Sequence, residues 1–335
     1  MAKRRASGTP DVSKLCGWVQ DEAAVHKLRV DLGRYGTVYG SNPALKGYWE
    51  DCKARGITAI LLFREETKAF GKPMPPNSQR AGTCVSMGTD RAIQLALSFD
   101  FIHRGLATVP VDICFEPIYA GCRVIIGKGS IRGDGAVGAW AAEWVEQYGV
   151  VRRGEYGPWD LTKPNESLAV ANADKGDRIP KEIIEAGKQH PVRTLHVKND
   201  YDEVADCIAS GKGIARCHSQ LYGSRDANGM SKPSKAGNHC ECLGGIFVMP
   251  NGKDGVLEHQ SWGENNPSGP KALKVKPGYG AEDGVIEIPS NCYGITMDEY
   301  IRAMKARSSS DAWAFQVGPE SVFAPESLRE WIATR

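Results

Sequence analysis

The stretch Gln79–Leu97 reads QRAGTCVSMGTDRAIQLAL and holds the cysteine best placed for chemistry. Ala92, Ile93, Ala96 and Leu97 fall on one stripe of a 3.6-residue period, which predicts a helix from Cys84 to about His103, stopped by Gly105. Thr83 suits the N-cap. Cys84 then lies in the first turn, where unpaired N–H groups and the helix dipole favour a thiolate, the nucleophilic form. A buried structural cysteine could open a helix just as well, so the thiol needs partners. A base is available in His239, within GNHCECLGGIF, where a strand is expected to begin. Downstream, Val256–Gly263 reads VLEHQSWG, a strand ending in the amide residue Gln260. Such an amide can fix the ring and tautomer of a catalytic histidine.

Two other chemistries compete for these residues. Cys217-His218 and His239-Cys240-Glu241-Cys242 offer soft ligands for a metal. Structural zinc usually takes cysteines at wider spacing than Cys-x-Cys, and no metal is expected here. Gly133–Gly138 matches G-x-G-x-x-G ahead of a helix. The following segment dissolves into Gly, Pro and Trp turns with no second parallel strand, so no nucleotide cofactor is expected.

The elements that would position these groups change character along the chain. A short helix is expected at 13–22, a strand at Leu28–Leu32, a helix over 43–55 and a buried strand at Ile57–Phe63. Pro110–Pro117 reads as extended, Arg123–Ile126 as a strand and 127–138 as a glycine-rich loop. Helices are predicted at Ala139–Tyr148, Lys181–Gln189, Tyr201–Ser210 and Met297–Arg307. Strands are predicted at Arg193–Val197, Gly213–His218, Cys242–Met249, Gly255–Gln260, Val285–Ile288 and Ala312–Val317, with 221–238 a polar loop. Helix-rich then strand-rich order suggests an α+β protein of two subdomains with a boundary near residue 190.

Composition narrows the function. The chain has 335 residues, 41% hydrophobic and 24% charged, enough for a sizeable core. A net charge of +2 gives no global reason to expect nucleic acid. No run approaches the ~18 apolar residues of a membrane span, and no signal peptide is evident, so no membrane partner is expected. The ten cysteines are scattered and read as mostly reduced. The basic start, Ala2–Gly8, reads as a solvated arm or a tether to an assembly.

Taken together, the set resembles the papain-like cysteine peptidases. Gln79 and Gly82-Thr83-Cys84-Val85 stand where that family has its Gln and its Gly-Ser-Cys-Trp. Gly133-Asp134-Gly135 leading to Tyr148-Gly149, Asn238-His239 leading to Gly244-Gly245-Ile246-Phe247, and Gln260-Ser261-Trp262-Gly263 follow in the family's order. The resemblance implies a papain-like two-subdomain fold: a helical subdomain over 76–190 with Cys84, a β-rich, barrel-like subdomain over 191–323 with His239 and Gln260, and a cleft between them. Residues 1–75 would be an N-terminal extension, partly packed on the β-rich half and without the family's helical inhibitory segment; 324–335 would be a tail. It implies a thiol hydrolase for peptide or amide bonds with no cofactor. Cys84 would be nucleophile, His239 base and then acid, and Gln260 the orienting amide. Gln79 and the Cys84 N–H would form the oxyanion hole, and Trp262 would shield the His–Gln contact. Gln79 stands one residue nearer to Cys84 than in the family, and Gln260 replaces an Asn. Divergent bacterial and phage members are nearest in character, which implies a cytoplasmic or virion-associated protein. A structural or binding component of a particle that keeps the fold without catalysis is the alternative.

Overall fold

The computed structural model describes residues 15–104, 112–174, 178–305 and 311–317. The basic arm and the 324–335 tail lie outside the described residues. One antiparallel sheet organises the chain. Its strands are β1 (Ala59–Leu61), β2 (Val192–His196), β3 (Ile214–Tyr222), β4 (Pro233–Val248), β5 (Asp254–His259), β6 (Cys292–Thr296) and β7 (Asp311–Val317). The order is β6-β5-β4-β3-β7-β2. Past Leu243, β1 takes the edge of β4 that β3 leaves. Among the described residues the sheet stays open, so the expected barrel is an incomplete one.

Helices pack around it, among them α1 (Glu22–Leu32), α2 (Tyr48–Ala54), α3 (Leu62–Phe70), α4 (Cys84–Arg104), α5 (Phe115–Gly121), α6 (Gly138–Tyr148), α7 (Glu166–Ala171), α8 (Lys181–Lys188), α9 (Tyr201–Ala209) and α10 (Met297–Lys305). Helix α4 is the central one. Ala92, Ile93, Leu95, Ala96 and Phe99 are buried on it, and Gly88 lets the backbone approach β4: a Cβ there would meet the Cys240 sulfur at 3.1 Å.

Several expectations need correction. Leu28–Leu32 is helical, not a strand. The Asp21 carboxylate caps Ala24 N–H at 2.9 Å, and Val25 and Leu28 are buried one turn apart while Val30 is 63% exposed. The short helix expected up to residue 22 is absent from its described part: after a single 3₁₀ residue at Leu15, residues 16–21 form no helix and α1 starts where that helix was to end. The 43–55 helix is broken by Gly47 in the left-handed region. The Ile57–Phe63 strand ends at Leu61, where α3 begins. Pro117 lies in the first turn of α5, where its missing N–H costs no bond, so it does not force an extended segment. Cys122–Ile126 is a π-helix, not a strand. It presents the buried Arg123 to the glycine loop, where the guanidinium donates to Gly133 O at 2.7 Å and Gly135 O at 2.6 Å. Strand β4 starts at Pro233 inside the expected polar loop. Its first four residues are exposed, so no apolar alternation announced it.

The segment before β1 is held by two carboxylates, Asp254 of β5, which accepts from the Trp49 indole at 2.8 Å, and Asp206 of α9. Asp206 on α9 accepts from Gly47 N, Trp49 N and Tyr39 Oη, each at 2.8 Å. Asp206→Ala would orphan two backbone N–H groups. We expect it to cost about 2–4 kcal/mol, read as a lower urea midpoint with unchanged slope; a loss under about 0.5 kcal/mol would mean that this segment is not held here.

Candidate active site

The pleat of β4 sorts the candidate residues. Side chains alternate along a strand. Cys240 and Cys242 face α4, while His239 and Glu241 face the other way. Strand β3 adds its own rows. Cys217 pairs with Cys240, His218 with His239 and Arg216 with Glu241. The soft ligands therefore divide between two faces, and no Cys–His zinc cage forms from them. The G-x-G-x-x-G loop follows a π-helix, not a strand, and packs against Gly17 and Gly82.

Gln79 and the Gln260-Ser261-Trp262-Gly263 segment are zipped together. Gln79 N donates to Ser261 O at 2.7 Å, Ser261 Oγ donates to Gln79 Oε1 at 2.7 Å, and Gly263 N donates to Asn77 O at 2.9 Å. On its other side the Gln79 loop is held by Glu166. That carboxylate accepts from Arg80 N at 2.8 Å, Ala81 N at 3.1 Å and the Thr83 hydroxyl. Thr83 thus occupies the N-cap position, its carbonyl accepting from Met87 N, but gives its hydroxyl to Glu166. A cavity of about 480 Å³ adjoins this loop, lined in part by Asn77, Ser78, Arg80, Asp90 and Phe115.

Cys84 opens α4, as expected, and is fully buried. Burial pushes its thiol far above the ordinary range, against the pull of backbone N–H bonds from Gly17 and Cys240. The thiol therefore lies beside the peptide that follows His239. The imidazole itself makes no hydrogen bond from either nitrogen. Burial, then His218 and Arg216, hold it well below the usual histidine range. Trp262 stacks on the ring at 4.3 Å and 25°. Gln260 does not reach it. Its amide accepts from Trp262 N at 3.1 Å and donates to Asn266 O, so it shapes the loop that carries Trp262.

The chain's own Leu15–Val19 segment passes between the Gln79 loop and the start of β4, which the sequence did not signal. Gln79 Nε2 donates to Leu15 O at 2.5 Å. Ala136 N donates to Gly17 O at 2.8 Å, Val19 N to Ala136 O at 2.9 Å, and Trp18 N to Asn238 O at 3.3 Å. Trp18 is anchored through its indole to Asp311, 2.7 Å away. The passage is narrow: a Cβ on Gly17 would lie 2.1 Å from Gly82 O. So short an irregular segment has no periodicity to detect, which is why this element was missed.

No protein-family model matches the chain, and no curated protein matches it in sequence. Solved structures do. The cysteine protease xylellain from Xylella fastidiosa superposes over 95% of this chain and 100% of its own, with a TM-score of 0.55 at 14% identity. The fold is papain-like. The cysteine protease and lectin-like domains of Cwp84 from Clostridium difficile match over 79% of this chain and 54% of theirs (TM-score 0.48, 15% identity), and a stem bromelain precursor over 92% and 79% (0.45, 11%). Gln79 and the Gln260–Gly263 segment are joined by hydrogen bonds, Trp262 covers the His239 ring, and Cys84 lies against the Cys240 N–H. The residues missed from sequence are Leu15–Val19 and Glu166. No helix among the described residues is long and apolar enough to cross a membrane.

The buried groups set the pH dependence of stability. His218 is pulled down to about 3, and His239 and His259 well below normal. The unfolded chain protonates these rings near ~6.5 while the folded chain does not, so their stabilising effect is lost as pH falls below that value. The buried Cys84 and Cys242 thiols are pushed up. The unfolded chain ionises them above ~8.5, so stability is lost as pH rises past it. Buried carboxyls pushed up at Asp90, Glu258 and Asp311 oppose the histidines on the acid side, so the clear expectation is a urea midpoint that falls above about pH 8.5, each thiol contributing up to about 1.4 kcal/mol per pH unit there. A midpoint unchanged from about pH 8 to 10 would contradict this.

Proposed function

We propose that the chain is a papain-like thiol hydrolase that cleaves a peptide or other amide bond through an acyl-enzyme on Cys84. The helical part (76–190) supplies Cys84 and Gln79, and the strand-rich part (191–323) supplies His239. One observation carries the reading: the Gln79 amide, which also donates to Ala81 O, binds the peptide carbonyl of Leu15, and the Cys84 thiol meets the backbone N–H of Gly17 two residues further on. The bond from the Gln79 amide to a carbonyl is the contact an oxyanion hole makes. The spacing of Gln79, one residue shorter than in the family, therefore does not keep its amide from a carbonyl in the cleft.

In the proposed reaction the Cys84 thiol loses its proton to His239, and the sulfur attacks the carbonyl carbon. The C=O electron pair moves onto oxygen, which is held by Gln79 Nε2 and the Cys84 N–H. His239 returns the proton to the departing amine. Water then hydrolyses the thioester by the same route. As folded, the chain is a latent form. Its own Leu15–Val19 segment takes the substrate's place, and burial keeps the thiol neutral.

The rival reading, a binding component of a larger assembly, draws on that same occupied cleft. Gly17→Ala separates them. The added methyl group cannot fit against Gly82 O, so the segment must leave. The Gly17→Ala chain should cleave fluorogenic peptides from a mixed library at least about tenfold faster than the unsubstituted chain, and Gly17→Ala/Cys84→Ala should be inactive. No cleavage by the Gly17→Ala chain, with assembly intact in Cys84→Ala, would favour the binding role.

A further inference from the structure

His239 has no amide partner, yet a carboxylate stands next to it. Glu241 is two residues on, on the same face of β4. Its Oε1 lies 3.9 Å from His239 Nε2. The same carboxylate is held on both oxygens. Tyr293 Oη donates to Oε1 at 2.7 Å, and His218 Nε2 lies 3.0 Å from Oε2. The ring of His218 is fixed by its other nitrogen, which accepts from Gln220 N at 3.4 Å. Its proton therefore sits on Nε2 and points at Glu241. All these groups are buried.

We propose that Glu241, rather than Gln260, is the positioning residue for His239: it holds the ring with its protonated Nε2 turned inward and stabilises the imidazolium that forms when Cys84 gives up its proton. This rests on the thiol chemistry proposed above and adds the group that makes it electrostatically feasible. A buried imidazolium without a counter-charge is costly, and a carboxylate 3.9 Å away, at ion-pair distance, offsets that cost. Nε2 facing Glu241 leaves Nδ1 as the nitrogen for the thiol. The titratable and charged groups described around the ring lie on β3, β4, β5, β6 and α4, and Glu258 of β5 also interacts with Glu241 itself. On β3, Arg216 forms an ion pair with Glu258 of β5. On β6, the Tyr293 hydroxyl, whose proton goes to Glu241, lies 3.2 Å from Glu258 Oε2. On α4, Cys84 faces the Cys240 N–H. Trp262 covers the ring.

His218, Glu241 and Glu258 also place one ligand atom each within 4.8 Å of one another, the arrangement of a small metal site. The Arg216 guanidinium against Glu258 already supplies the cation there, which favours a hydrogen-bonded network.

The test uses the full chain carrying Gly17→Ala and follows iodoacetamide alkylation of Cys84 by peptide mass spectrometry. Near about pH 6 only a thiolate paired with an imidazolium reacts quickly. Adding Glu241→Gln should slow Cys84 there by about tenfold or more, and the pH at which His239 loses its proton, followed by NMR, should fall by about one unit. Glu241→Asp should restore part of the rate, and Gln260→Ala should change it by less than about threefold. The reverse order, with Gln260→Ala slow and Glu241→Gln unchanged, overturns the assignment and leaves the thiol chemistry standing. A Gly17→Ala chain in which Cys84 is no faster than Cys52 removes the thiol chemistry itself. Should Glu241→Gln fail to fold, nitrogen NMR of the unsubstituted chain decides: a proton on Nε2 of His239 supports the proposal, and one on Nδ1 overturns it. About one equivalent of tightly held metal per chain would also overturn it, because the carboxylate would then be a ligand.

Discussion

The alternation of side chains along β4 is the constraint on which the rest of the site depends. One strand must close two interfaces at once. Its Cys240 and Cys242 face receives α4, and its His239 and Glu241 face looks into a buried polar layer with His218, Glu258, Arg216 and Tyr293. A one-residue slip would bury the cysteines among the charges and turn the charges onto a helix. The network is therefore a register lock as well as a setting for His239. Partner loss in it would be severe, because each member is buried and satisfied chiefly by the others.

The second constraint is space at the cleft. Gly17, Gly82 and Gly135 meet where Leu15–Val19 passes between the helical and strand-rich parts. At that crossing the backbones touch with no room for side chains. The segment consequently binds through main-chain hydrogen bonds, to Ala136, Asn238 and Gln79, which is how a site reads a peptide irrespective of its sequence. The burial that seats the segment also keeps Cys84 protonated. In the proposed hydrolase, latency and peptide recognition would have one physical origin.

Much of this was legible in the sequence. The helix from Cys84 was readable because its apolar stripe is long and ends at a glycine. The α+β order and the central strands were readable from short apolar runs between turns. What was lost was lost for local reasons. Asp21 capping overrode the apparent alternation of Leu28–Leu32, and Pro117 was harmless in a first turn. At the site, Glu241 could be noticed only as a metal ligand, since its real neighbours, His218 and Tyr293, are brought in by strand register. Gln260 looked like the orienting amide because of where it stands in the chain. Its amide instead joins the Trp262 and Asn266 backbone.

Cys84 is proposed as a nucleophile masked by the chain's own Leu15–Val19 segment. Covalent labelling by an epoxysuccinyl inhibitor of thiol peptidases tests it most directly. The Gly17→Ala chain, treated and then mapped by peptide mass spectrometry, should carry one adduct, on Cys84, while the unsubstituted chain carries none. An adduct spread over other cysteines, or no adduct on Cys84 in the opened chain, would contradict it.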